Sequence, residues 1–123
     1  MPDRTQLKIY DIVGGPVWIS TADGQKVYEK IVTAFKAKRS VDLSFSNRKN
    51  LITAFLNAAI GQLYNGDYEK EFLAENLAYT EITDEDRQMV ERAIENAKRY
   101  FANKSQYDAA WKEEIGDEVD EEK

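Results

Sequence analysis

The residues best suited to chemistry in this chain lie between positions 46 and 53. Arg48 and Lys49 belong to a polar turn, and Thr53 begins a helix that has no charged residue over positions 51–64. A phosphate on a hydroxyl at the positive end of a helix, beside two cations, is tolerated by the fold. Such a helix end also binds anions through free N–H groups. The spacing predicts a docking or phosphorylation site, and the simpler alternative is that Thr53 only caps the helix.

Other chemistry is limited by the residue types that the chain lacks. It contains no histidine and no cysteine, which excludes Ser-His-Asp and Cys-His catalysis, disulfides and zinc-thiolate sites. Gly14, Gly15 and Pro16 lack the Lys-Ser/Thr pair of a phosphate-binding loop, so we interpret them as a hairpin turn. No EF-hand or zinc-ligand spacing occurs. We therefore expect a binding module, not an enzyme, with no metal and no cofactor.

The charge of the chain is distributed unevenly. Residues 107–123 hold eight acids and two bases, whereas residues 1–106 hold fifteen of each. A balanced body argues against nucleic acid as a partner. We predict a folded domain at 1–106 and an acidic, disordered tail at 107–123. The tail either improves solubility or interacts with a basic surface, and its composition fits both.

Hydropathy bears on where the protein works. No run of about 18 apolar residues is present, which predicts no membrane span. The N-terminus has no apolar segment typical of a signal peptide. We expect a cytoplasmic protein that does not bind membranes.

The elements that position Thr53 follow from the periodicity of apolar residues. The predicted order is β-β-α-β-α-β-α, an α/β fold with helices flanking a mixed sheet. We expect a hairpin at 7–13 and 17–19, a helix capped by Ser20, and a half-buried strand at 41–45. The apolar helix over 51–64 follows, then a short helix within 68–75, a strand at 77–82 and a last helix capped by Thr83.

The apolar helix has a narrow stripe of small residues. The stripe consists of Ala54, Asn57, Ala58 and Gly61. One interpretation is close packing against a sheet or another helix. The alternative is a flat ledge where another protein approaches, because a helix that is apolar on nearly all sides must be covered.

The strand, turn and helix together resemble a known family. The strand 41–45 and the helix motif of Ile52, Thr53, Phe55 and Leu63 are similar to the STAS-like domain family DUF4325, and the resemblance spans roughly residues 8–101. It implies a mixed sheet flanked by helices. It also implies, by distant similarity to bacterial anti-sigma-factor antagonists, that the chain binds a GHKL-type ATPase or kinase. In those antagonists a Ser or Thr at the start of this helix is phosphorylated to break the contact, and the corresponding residue here is Thr53.

Our leading hypothesis is a regulatory protein–protein interaction module. The residues that we expect to bind the partner are Arg48, Lys49, Thr53, Asn57 and Gly61, with Thr53 as the possible phosphorylation site.

Two other functions fit the same residues. The first is a nucleotide or small-anion sensor that uses the same helix N-terminus, with Tyr10, Trp18 and Tyr64 as a stacking wall. The second is a homo-oligomeric scaffold, for example a homodimer that buries the apolar helix between copies.

Overall fold

The fold alternates short strands with helices, as expected for an α/β protein. The computed structural model describes residues 3–102, so the predicted acidic tail lies outside the described residues. The strands are β1 Arg4–Lys8, β2 Val17–Trp18, β3 Ser40–Ser44, β4 Asn50–Leu51 and β5 Leu77–Thr80. The helices are α1 Ile9–Val13, α2 Thr21–Lys36, α3 Thr53–Ala59, α4 Lys70–Asn76 and α5 Asp84–Ala102, with a 3-10 helix at Gly61–Tyr64. The predicted α/β class is confirmed.

The strands form two separate sheets. The large sheet has the order β1-β3-β5, with Leu7 beside Leu43 and Leu43 beside Tyr79. The small sheet pairs β2 with β4. Every pairing among residues 3–102 is parallel, whereas we expected a mixed sheet. The parallel arrangement arises because helices lie between the paired strands and return the chain to the same edge.

The predicted hairpin at the start of the chain is wrong. Residues Ile9–Val13 form one turn of helix, because Ile9, Ile12 and Val13 are apolar at helical spacing. Gly14 ends this helix in the left-handed conformation at φ 93°, and its N–H donates to the Tyr10 carbonyl. The β-prone residues of this segment therefore pack as a helix, and β2 pairs with a distant strand.

Two predicted helix starts are confirmed. The Ser20 hydroxyl accepts a hydrogen bond of 3.0 Å from the N–H of Asp23, and the Thr83 hydroxyl accepts one of 3.1 Å from the N–H of Asp86. Each bond satisfies a backbone donor that has no partner within its helix. The inner face of α2 is buried, and its members are Val27, Ile31, Ala34 and Phe35.

The apolar helix is shorter than predicted and is covered by the chain itself. α3 ends at Ala59, and the chain turns at Ile60 into the 3-10 helix. A Cβ at Gly24 of α2 would lie 2.6 Å from the Phe55 carbonyl oxygen and 2.8 Å from the Ala58 Cβ. Ala58 of the small-residue stripe therefore serves close packing of α3 against α2, as the first interpretation expected, and the ledge for a partner stays a prediction. No second copy is needed to cover this helix.

The central strand is buried on both faces, whereas we predicted a half-buried strand. Val41 and Leu43 point into the core, and Ser40 and Ser44 on the other face are also fully buried. The Ser44 hydroxyl donates to the Glu81 carboxylate at 2.6 Å, and Ser40 donates to the Asn76 side chain at the same distance. These bonds give the two buried serine hydroxyls hydrogen-bond partners within the protein.

Tyr79 of β5 lies on the inner side of the large sheet, beside Leu43. Burial raises the pKa of Tyr79, the nearby Tyr64 raises it further, and Arg87 lowers it slightly. The ring packs edge-on against Phe45, with centroids 6.1 Å apart. The phenol is therefore neutral in ordinary solution.

Candidate partner-docking site

The turn that precedes α3 is fastened to the segment that precedes β2. The N–H groups of Lys49 and Asn50 both donate to the Pro16 carbonyl, at 2.8 and 3.2 Å. Asn47 occupies the left-handed region at φ 63°, a conformation that asparagine tolerates well. The Ile52 N–H then donates to the Trp18 carbonyl at 3.3 Å. The predicted site is therefore a fixed turn and not a free loop.

An ion pair anchors this turn to the last helix. The Arg48 guanidinium donates to both carboxylate oxygens of Asp86, at 2.8 and 2.7 Å. The exposed fraction of the Asp86 side chain is 5%, and that of Arg48 is 22%. Arg48 also donates to the Lys49 carbonyl. The Arg48 guanidinium is therefore engaged within the fold by Asp86, and its contact with a partner stays a prediction.

Thr53 lies just inside the start of α3 and not at its cap. The capping residue is Ile52, and this helix end has no side-chain capping bond. The Thr53 side chain is exposed, so the prediction that its hydroxyl caps the helix is wrong. Thr53 is instead accessible from solvent, and the exposed Lys49 precedes it by four residues.

The remaining predicted residues do not share one surface. Asn57 follows Thr53 by one helical turn and is half-buried. Gly61 is buried, and a Cβ there would lie 3.5 Å from the Ala97 Cβ of α5. Gly61 therefore cannot bind a partner, because it packs where two helices approach each other. Lys49, Thr53 and the edge of Asn57 remain accessible.

The stacking wall that we expected for a nucleotide does not form. Trp18 is fully buried, and its ring N–H donates to the Gly15 carbonyl at 2.8 Å. Its ring lies 6.0 Å from that of Phe55. Tyr10 is exposed. Tyr64 is distant in sequence, and its ring lies under the Lys98 ammonium. Trp18 therefore supports the core and is not available to a base.

The outer face of the small sheet is apolar and exposed. Because Trp18 points inward, Val17 and Ile19 point outward on either side of it. β2 and β4 pair Val17 with Asn50 and Trp18 with Leu51, and Ile19 and Ile52 directly follow the two strands. The exposed fractions of Val17, Ile19 and Ile52 are 41%, 46% and 45%. We name these three residues the β2–β4 face; sequence reasoning missed it, although the alternation around Trp18 was the available signal.

A shallow hollow adjoins the β2–β4 face. Its volume is about 580 Å³, and it is lined by Tyr10, Pro16, Asn47, Arg48 and Lys49. Pro16 and Lys49 directly precede the two strands, so the hollow lies at the end of the small sheet where Val17 and Asn50 begin.

A comparison with protein-family models identifies the family of this chain. The family model for the STAS-like domain of unknown function, DUF4325, matches residues 23–87, more than half of the chain. The chain belongs to this family. The matched DUF4325 span includes Thr53 and both partners of the Arg48–Asp86 ion pair, so the predicted resemblance is confirmed. No curated protein and no solved structure matches the chain significantly.

No helix within residues 3–102 has the length and apolar character to cross a membrane. Nor does this part of the chain bring together three or more acidic side chains that could hold a metal ion.

Proposed function

We propose that this DUF4325 chain is a regulatory module that binds another protein through the β2–β4 face and the adjoining hollow. The observation that supports this proposal most is the exposure of three large apolar side chains, Val17, Ile19 and Ile52, in and directly after two paired strands. Exposed large apolar side chains that cluster are informative, whereas single ones are common on any protein surface. The partner class is a GHKL-type ATPase or kinase, as the resemblance to anti-sigma-factor antagonists implies.

The geometry favours a protein partner because the surface is rigid before binding. The Pro16 carbonyl and the Arg48–Asp86 pair hold the turn, so little conformational entropy is lost when a partner docks. Burying each of the three apolar side chains contributes on the order of 1.5 kcal/mol or more. An apolar centre bordered by polar side chains is the usual composition of a binding hot spot.

A nucleotide or small anion is the less favoured ligand for this surface. The Arg48 guanidinium is already paired, and Trp18 is not available for stacking. The exposed cation that remains in the turn is Lys49, and α3 is only 7 residues long. A single lysine beside three apolar side chains suits a protein surface better than a phosphate.

Phosphorylation of Thr53 would regulate this contact. Thr53 is exposed and directly follows Ile52 of the β2–β4 face. A phosphate would place roughly −1.5 to −2 units of charge beside the apolar side chains that the partner must bury. Since charge is costly to desolvate in an apolar contact, phosphorylation would release the partner.

The proposal is tested by capturing partners of the full chain from its native cells and measuring the affinity of each purified complex. The double variant Ile19→Ser/Ile52→Ser should weaken binding by about tenfold or more, as expected for hot-spot residues. The matched control is Gln6→Ser/Lys8→Ser, which shortens two exposed side chains on the outer face of the large sheet. It should leave affinity unchanged.

The regulatory step is tested on the same complex. Thr53→Glu should weaken binding, whereas Thr53→Val should preserve it, because valine matches threonine in shape and adds no charge. Mass spectrometry of the protein from its own cells would locate any phosphate. Equal affinities for wild type and Ile19→Ser/Ile52→Ser would refute the proposed surface; equal affinities for Thr53→Glu and wild type would refute the switch alone.

A further inference from the structure

A second exposed surface lies on the other side of the fold, between α2 and α4. A groove of about 480 Å³ is lined by Phe35, Lys38, Arg39, Phe72 and Asn76. We name it the α2–α4 groove. None of these residues belongs to the β2–β4 face, so this surface is independent of the proposed partner site.

The apolar part of the groove is a cluster of aromatic rings. The Phe35 and Phe72 rings meet edge-on with centroids 5.1 Å apart, and Tyr68 stacks on Phe72 at 5.5 Å. Phe72 is 38% exposed, although it contacts two other rings. The rings hold Phe72 in place, so an apolar side chain can pack on its open face.

The charged part of the groove is basic. Lys38 and Arg39 are exposed and form no ion pair with any residue between positions 3 and 102. Their backbone is fixed, since the Lys38 N–H donates to the Phe35 carbonyl and the Arg39 N–H donates to the Ala34 carbonyl. Two unpaired cations beside an aromatic wall suit an acidic segment that contains an apolar side chain.

The sequence of this chain contains a segment of that composition. Residues 107–123 have eight acids and two bases, and they include Trp111 and Ile115. Residues 1–106 are electrically balanced, so the acidic excess of the chain lies in this segment. Its charge is therefore complementary to Lys38 and Arg39.

The described chain also ends close to the groove. Phe101 and Ala102, the last residues of α5, line a cavity together with Tyr68. The Tyr68 ring stacks on Phe72, which lines the groove. Eight residues separate Ala102 from Trp111, and the nine Cα–Cα steps between the two can span up to about 30 Å, whereas the whole of α4 is only about 10 Å long. Trp111 can therefore reach the groove within the same molecule.

We propose that the acidic segment 107–123 binds in the α2–α4 groove of its own chain, with Trp111 packed against Phe72 and the adjacent acids facing Lys38 and Arg39. The docked segment would occupy the groove and exclude other acidic segments from it. An internal ligand of this kind makes the groove a regulated site.

Acrylamide quenching of tryptophan fluorescence in the full chain tests this proposal. Trp18 is fully buried, so the quenched emission comes mainly from Trp111. Reversing both charges in Lys38→Glu/Arg39→Glu should lower the ratio of docked to free segment by about fivefold, because two exposed charge contacts are lost. Quenching of Trp111 should rise accordingly. High salt should have the same effect on wild type through screening.

The matched control is Lys30→Glu/Arg92→Glu, which changes the net charge equally at two exposed positions outside the groove and should leave quenching unchanged. Adding Glu113→Lys/Glu114→Lys to the Lys38→Glu/Arg39→Glu variant should restore protection of Trp111. Equal quenching in wild type, groove variant and control would overturn the proposal. Protection that disappears on dilution would also overturn it, because the segment would then bind a second copy.

Discussion

Two sheet faces of this molecule lie outside the core, and they differ in composition. The outer face of the large sheet is polar along β1, where Arg4, Gln6 and Lys8 are exposed. The outer face of the small sheet presents Val17, Ile19 and Ile52. Both faces belong to parallel sheets of one chain, and the polar one shows that an exposed sheet face does not need apolar residues. This contrast in composition is the basis of the partner site that we propose on the β2–β4 face.

The ion pairs beside the two sheets differ in how much of each pair is exposed to solvent. Arg4 and Asp42 meet at 2.7 Å on the large sheet with exposed side-chain fractions of 35% and 32%. Arg48 and Asp86 meet at the same distance, but the Asp86 side chain is only 5% exposed. Water screens the first pair and leaves the second nearly unscreened. Equal geometry therefore has unequal consequences for stability.

The largest predicted effect tests this difference between ion pairs. Arg48→Ala leaves the Asp86 carboxylate buried without its partner, which should lower the free energy of unfolding by about 3 kcal/mol. Arg4→Ala is the matched control, and it should cost about 1 kcal/mol or less because its pair is solvent-exposed. Urea unfolding measures both losses. Similar losses for the two variants would contradict our distinction between the sheets.

An intermediate effect is expected at the helix contact beneath the small sheet. The Cβ of Gly24→Ala would collide with the backbone of α3, at 2.6 Å from the Phe55 carbonyl oxygen. The overpacking should outweigh the better helix propensity of alanine and lower stability by about 1–2 kcal/mol. Gly15→Ala is the control, since a Cβ there meets nothing within 4 Å. Thermal unfolding at matched concentration distinguishes them; a neutral Gly24→Ala would show that α3 moves freely.

The smallest effect concerns alkaline solution and probes the large sheet alone. Burial raises the pKa of Tyr79, so the unfolded chain loses this proton first, near pH 10. The contribution to stability is complete below about pH 10 and is lost as the pH rises further. Tyr79→Phe should therefore lose less stability than wild type in alkaline urea titrations. Parallel curves for the two proteins would contradict this assignment.

Local signals in the sequence predicted what local interactions decide. Ser20 and Thr83 were predicted as caps because each satisfies a backbone donor three residues away. The short α4 and the strand β5 also follow from nearby spacing. The periodicity of apolar residues predicted the α/β class and placed Thr53 at the start of a helix, and the family resemblance implied the same fold.

Contacts between distant residues account for the errors. Pairing of Val17 with Asn50 joins segments far apart in sequence, and nothing near Gly14 indicates that the expected hairpin is replaced. Arg48 was predicted to be free, because its partner Asp86 lies 38 residues away. The burial of Gly61 depends on Ala97 of the last helix. The sequence therefore directs attention to the turn before α3, whereas identifying which of its residues are accessible required the tertiary structure.

The Arg48–Asp86 pair has a consequence for how this family diverges. Both residues lie within the matched span 23–87, and the aspartate is almost wholly buried. A single substitution at either position leaves the other charged side chain without its partner, whereas a joint replacement by apolar residues of similar volume is tolerated. We therefore expect positions 48 and 86 to be substituted together among relatives. The turn before α3 and the start of α5 would then change in step during the divergence of the family.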